Sequence, residues 1–168
     1  GDKGNRAEWR GRWFIGIQDR FIPDGNVGNL FFNHWRRAGR FLLLTVTTVQ
    51  DPLNLMRLAL TESRYPFTRK GGFHSNSKRI NKLMNIGFRT LELCAHDTYM
   101  DCPYYEQLMY LGDARIQALV AYTLSNDARL TEKSLRLIAA ARLPDGLLPS
   151  RYPSDRCQII PGFALVWV

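Results

Sequence analysis

The chain contains no run of 18 or more apolar residues, which excludes a membrane-spanning helix by length alone. Cysteine is scarce. Cys94, Cys102 and Cys157 are odd in number and lack C-x-x-C spacing, so neither a zinc site nor a disulfide framework is indicated, and each reads as a small buried apolar residue. His34, His74 and His96 are too dispersed for a dense ligand motif, so no metal and no cofactor is expected. A Ser-His-Asp elbow, a phosphate loop and a dinucleotide fingerprint are all missing, which leaves nucleophilic and redox chemistry without a visible carrier. No secretory signal stands at Gly1-Asp2-Lys3-Gly4, and the compartment stays open, with a periplasmic or secreted parent protein favoured.

What the chain does hold is unevenly distributed. The formal net charge of +8 resides entirely in residues 1–80, while residues 81–168 balance. Trp9, Trp13, Phe14, Phe31, Phe32 and Trp35 lie among those basic residues, a composition that can serve nucleic acid by pairing Arg with phosphates and aromatics with bases. The cations are scattered rather than clustered, so a solvated surface is the better reading, and neither nucleic acid nor membrane is expected as a partner.

From Trp9 to Leu60 the chain is rich in aromatic and β-branched residues, broken by turn signals at Pro23-Asp24-Gly25-Asn26 and Asp51-Pro52. Phe41 to Val49 is the clearest predicted strand, and Leu53 to Leu60 fits a strand or a short helix equally. Helices are expected afterwards. Ser75 or Ser77 can cap one that carries Ile80, Leu83, Met84, Gly87, Leu91 and Cys94 at helical spacing, and another covers Leu130 to Arg142 with Leu135, Ile138 and Ala139 as its buried stripe, ended by Pro144-Asp145-Gly146. The expected fold class is therefore α+β: residues 1–65 as part of a β-sandwich, 66–75 as a linker with Pro66 and Gly71-Gly72, and 76–168 as helices.

The richest stretch is Asp101-Cys102-Pro103-Tyr104-Tyr105-Glu106-Gln107-Leu108-Met109-Tyr110-Leu111-Gly112-Asp113. If a helix begins near Tyr104, then Glu106, Tyr110, Asp113 and Gln117 share one face, while Leu108, Met109, Gly112, Ile116, Leu119, Val120 and Thr123 lie on the other. Carboxylates accept hydrogen bonds from sugar hydroxyls, aromatic rings cover the apolar face of a pyranose, and one acid can donate a proton. The plainer alternative is a solvated helix face with Asp101 acting only as a cap.

The run from His96 to Gln117, with Ser150-Arg151-Tyr152-Pro153-Ser154 and Ile160-Pro161-Gly162-Phe163, resembles the bacterial α-L-rhamnosidases of glycoside hydrolase family 78. Trp35-Arg36-Arg37-Ala38-Gly39-Arg40-Phe41-Leu42 looks like the family's strand before the catalytic domain, and Thr61-Glu62-Ser63-Arg64-Tyr65-Pro66 like the link that follows. The resemblance implies a partial β-sandwich followed by the first helices of an incomplete (α/α)6 barrel. It also implies hydrolysis of a terminal α-L-rhamnose from a glycoside or polysaccharide, with inversion. Inversion needs two carboxyl groups about 6.5–9.5 Å apart, so that a water fits between one of them and the sugar. By the family pattern Glu106 matches the general acid, with Asp101 second. Asp101 and Asp113 match acids that bind hydroxyls, and Tyr105, Tyr110, His96 and Arg151 are further candidates for contacting the sugar.

The general base of such enzymes comes from a later part of the barrel. The chain is accordingly expected to be a piece of a larger enzyme that ends within an apolar segment at Trp167-Val168, inactive by itself, with the remainder of the parent chain as its partner. A fragment that binds carbohydrate or serves as a scaffold without turnover is the competing expectation.

Overall fold

The computed structural model describes residues 7–13 and 15–167. Phe14 and Val168, which the sequence reading invoked, and the Gly1-Asp2-Lys3-Gly4 start lie outside the described residues. Two compact units are present, Gly1–Arg57 and Leu58–Val168. The family-like motifs from Thr61 onward all lie in the second.

The described residues contain four α-helices and no strand, which corrects the expected α+β class. Neither the β-sandwich nor a closed barrel is formed by them. In the first unit Leu42, Leu44 and Val46 are all more than half exposed, so no second sheet covers them. The physical reason is that alternation and β-branching make a segment suitable for a sheet but cannot supply the neighbouring strand that satisfies its backbone. Order in this unit comes from single contacts, such as the Arg37–Asp19 pair at 2.9 Å and the Trp9 and Phe41 rings at 6.4 Å. Asp24 accepts from the Asn29 and Asn26 side chains and the Asn26 backbone, realising the predicted turn with Gly25 at φ +86°, and these bonds, that of Asn29 foremost, pull the Asp24 carboxyl down to about 2.

In the second unit α1 spans Lys78–Leu93, α2 Leu111–Leu124, α3 Arg129–Ala140 and α4 Pro161–Trp167. Ser77, one of the two expected candidates, caps α1 by accepting the Ile80 N–H. Only the C-terminal end of α1 is deeply covered, through Leu91, with Cys94 just past it. The centre of the unit is α2, which packs against each of the other three helices. Its buried stripe is Leu111, Ala114, Ala118, Ala121 and Leu124 rather than the predicted Ile116 and Leu119 side, both of which are more than half exposed. Ala114, Ala118 and Ala121 in the middle of the stripe let neighbouring helices approach closely, with Leu111 and Leu124 buried at its two ends. The same correction holds on α3. Leu130, Ser134 and Ile138 are buried at four-residue spacing, whereas Leu135 and Ala139 are exposed.

The largest correction concerns the motif. No helix starts at Tyr104; residues 101–109 form a turn-rich loop and α2 begins seven residues later. Asp101 closes that loop on itself. Its N–H donates to the Leu108 carbonyl at 2.8 Å, and its Oδ1 accepts the Leu108 N–H at 2.9 Å. Gln107 sits at φ +54°, which breaks helical continuity, and its side-chain amide donates to the Pro103 carbonyl at 2.9 Å.

Two further attachments frame the site. Lys70 and Gly71 both donate to the Leu124 carbonyl at 2.8 Å, satisfying one of the exposed carbonyls of the last turn of α2. At the opposite end Leu111 N–H donates to Ser150 at 2.9 Å and Tyr152 N–H to Met109 at 3.2 Å, so residues 150–152 lie antiparallel to the start of α2. Gly112 lets the Phe163 ring of α4 rest directly on α2, because a Cβ there would come within 2.5 Å of the ring.

Candidate active site

The loop closed by Asp101, the first turn of α2 and the 150–152 segment bring together residues that the sequence places far apart. Tyr110 is the N-cap residue of α2, and its side chain, instead of capping the helix, turns to the loop. The Tyr110 hydroxyl donates to Glu106 Oε2 at 2.6 Å and accepts from Arg151 Nη1 at 2.7 Å. The same Nη1 stands 3.9 Å from Glu106 Oε2, and the guanidinium carbon lies 5.4 Å from the centroid of the Tyr110 ring. Phe163 meets that ring edge-on at 6.4 Å, so the tyrosine is held from several sides. Glu106 itself is at the rim, with 52% of its side chain exposed.

Asp113 lies in the first turn of α2, where the helix dipole favours an acid. Burial, followed by the negative charges of Asp101 and of Glu106, pushes the Asp113 carboxyl above its ordinary range. Three acids therefore share one electrostatic field. The hydrogen bond to Glu106, followed by burial, likewise raises Tyr110, which keeps its O–H as a donor.

The structure brings Glu106, Tyr110 and Arg151 together through hydrogen bonds, and Asp101 and Asp113 through charge. Tyr105 is 79% exposed, edge-on to Tyr104 at 4.9 Å, and projects at the tip of the loop. His96 is engaged elsewhere. Its Nε2 lies 2.6 Å from Ser63 Oγ and its Nδ1 3.6 Å from Asp97 Oδ2, a grouping of Ser, His and Asp that no sequence spacing announced. Gln117, assigned to the acidic face, donates to the Met100 carbonyl at 2.6 Å, anchoring the entrance of the loop to α2. Cavities of about 450 and 250 Å³ lie along α3 and between α2, α3 and α4, lined by residues other than the three acids. Glu106 is half-exposed, while Asp101 and Asp113 are partly buried. Among the described residues no group of three or more His, Cys, Asp or Glu is arranged to hold a metal, and no helix is long and apolar enough to cross a membrane.

Because the raised Asp113 carboxyl binds its proton more readily in the folded chain than in the unfolded one, its ionised form opposes folding above that raised pKa. The opposition fades as pH falls through the raised value and is gone below the ordinary carboxylate range. Asp113→Asn is therefore expected to raise the melting temperature at neutral pH and to leave it unchanged in acid. A variant that melts below the wild type at neutral pH would show that Asp113 is instead a stabilising carboxylate.

With this geometry in place, residues 68–167 match the family model described as the bacterial alpha-L-rhamnosidase 6 hairpin glycosidase domain. The chain belongs to this bacterial α-L-rhamnosidase family. It is also similar to the crystal structure of a GH78 family rhamnosidase of Bacillus sp. GL1, at 33% identity and a TM-score of 0.57, over 62% of this chain and 11% of that one. The chain thus spans a small part of the length of that enzyme. No curated protein matches it. The family match includes the whole acid loop, α2 and the Arg151 segment, and it begins after Ser63, so Ser63 lies outside it.

Proposed function

We propose that this segment supplies the proton-donating side of the active site of an inverting α-L-rhamnosidase. The observation that carries the reading is the convergence of Glu106, Asp101 and Asp113 at the start of α2, with Tyr110 and Arg151 hydrogen-bonded behind Glu106. The family match and the 33% identity to a GH78 rhamnosidase support the same substrate class.

In this reading the Glu106 proton passes to the glycosidic oxygen while the bond from that oxygen to the anomeric carbon breaks, its electron pair leaving with the oxygen. A water attacks the anomeric carbon from the opposite face and gives its proton to a base. That base lies outside these 168 residues, so the segment alone does not turn over. Asp101, one of whose oxygens is committed to Leu108, presents its other oxygen to a hydroxyl of rhamnose. Asp113, partly buried and inclined to hold a proton, can donate to or accept from a second hydroxyl. Tyr105 at the loop tip offers an exposed ring to the apolar face of the sugar or its aglycone.

The test is the configuration of the first product. NMR of the full-length enzyme acting on an α-L-rhamnoside is expected to show β-L-rhamnose appearing first and the α anomer only by mutarotation. Initial release of the α anomer would demand a covalent intermediate and a nucleophile close to Glu106, and would sink the inverting assignment.

A further inference from the structure

Arg151, Tyr110 and Glu106 form a chain of hydrogen bonds whose direction follows from their chemistry. A guanidinium has donors and no acceptor. With Arg151 Nη1 2.7 Å away, the Tyr110 oxygen must be the acceptor of that bond, so the hydroxyl hydrogen is directed to its other partner, Glu106 Oε2 at 2.6 Å. Oε2 is thereby occupied by an incoming hydrogen. When Glu106 carries a proton, only Oε1 has room for it.

We propose that Tyr110 and Arg151 are positioning residues that reserve Oε1 of Glu106 as the oxygen from which the proton is delivered. The proposal rests on Glu106 being the general acid. Arg151 is fixed for this task by backbone bonds on both sides of it, from Leu111 to Ser150 and from Tyr152 to Met109, and only 16% of its side chain is exposed. Its Nε is buried with no acceptor among the described residues. The charged and titratable groups around Glu106 are Arg151 on the 150–152 segment, Tyr110 and Asp113 on α2, and Asp101 across the loop.

The test uses the full-length enzyme with two substrates, an alkyl α-L-rhamnoside whose leaving oxygen needs a proton and a nitrophenyl α-L-rhamnoside whose leaving group does not. Tyr110→Phe keeps the ring but removes the donor to Oε2, so the carboxyl proton is no longer confined to Oε1. For the alkyl substrate kcat/KM falls by about ten- to a hundredfold, and for the nitrophenyl substrate by much less. Arg151→Met gives the same dependence on the leaving group, and the double variant loses less than the product of the two single losses because both act through one carboxyl. Arg151→Lys, which keeps the charge but offers a different donor geometry, covers the case in which Arg151→Met does not fold.

Equal losses on both substrates overturn the relay. If the wild type releases no rhamnose, the glycosidase reading itself has failed, and if Glu106→Gln keeps full activity, the acid role of Glu106 on which the relay rests has failed. If the wild type is active and Glu106→Gln is impaired while Tyr110→Phe loses equally on both substrates, only the relay has failed.

Discussion

Glu106→Gln in the full-length enzyme is expected to lower kcat/KM on an alkyl α-L-rhamnoside by about 100- to 10,000-fold, the range supplied by a positioned general acid. Gln preserves the length of the side chain, and its carbonyl can still accept the Tyr110 hydroxyl that now meets Oε2 at 2.6 Å, so the surroundings need not move. What disappears is the transferable proton. The loss should shrink by at least tenfold when the leaving group is a nitrophenolate, which departs without protonation. Asp101 is the competing donor, and the same pair of substrates separates them. One Asp101 oxygen is bound to Leu108 N–H as part of closing the loop, whereas Glu106 sits half-exposed at the rim with Oε1 outside the relay. Should Asp101→Asn show the stronger dependence on leaving group, the acid role would pass to Asp101.

The second large effect is on folding. A Cβ on Gly71 would overlap the carbonyl oxygen of Thr123 and come within 3.0 Å of Leu124 Cα, and both are backbone atoms at the end of α2 that cannot rotate aside. The Gly71 and Lys70 N–H groups are hydrogen-bonded to Leu124 at the same place, and Tyr65 and Phe67 just upstream pack on the core. Gly71→Ala must push this strap off the helix end, combining overpacking with lost hydrogen bonds, at a cost of about 3 kcal/mol or more. A fall in melting temperature on the order of 10 °C is expected. Gly72→Ala is the internal control, since nothing lies within 4 Å of its added Cβ. Thermal unfolding of the two variants compares them directly, and equal melting temperatures would mean that the strap does not dock on α2.

Both predictions depend on contacts whose legibility in the sequence differed. The cap at Ser77, the extent of α3 and the Asp24 turn were readable because each is decided by a few adjacent residues whose side chains act on nearby backbone. Likewise, the order Asp101, Glu106, Asp113 pointed to the family whose model the chain matches. The start of α2 was misplaced because a bond from Asp101 to Leu108, seven residues away, outweighed a helical pattern that the apolar spacing allowed. The predicted stripes on α2 and α3 were displaced for a related reason. Periodicity identifies faces of similar polarity, but which face is buried depends on where Phe163, Tyr99 and the neighbouring helices come to lie.

The β-sandwich expectation failed at a different step. Residues 41–47 have the composition of a strand, yet a strand exists only in the company of another, and none pairs with them among the described residues. Arg151 and Tyr110, 41 positions apart, could be suspected of serving one site but not joined by any sequence rule, and His96 could not be foreseen to bind Ser63 instead of joining the acids.

By itself the sequence determined the chemical inventory: which acids, rings and guanidinium are present, where helices can be capped, and the family to which the order of these residues belongs. Only the tertiary structure decided that Tyr110 hands its hydrogen to one oxygen of Glu106 while accepting from Arg151. Hydrogen bonds depend on fractions of an ångström between groups from separate segments, and those separations are set by how α2, its entrance loop and the 150–152 segment pack, not by the identity of any one residue.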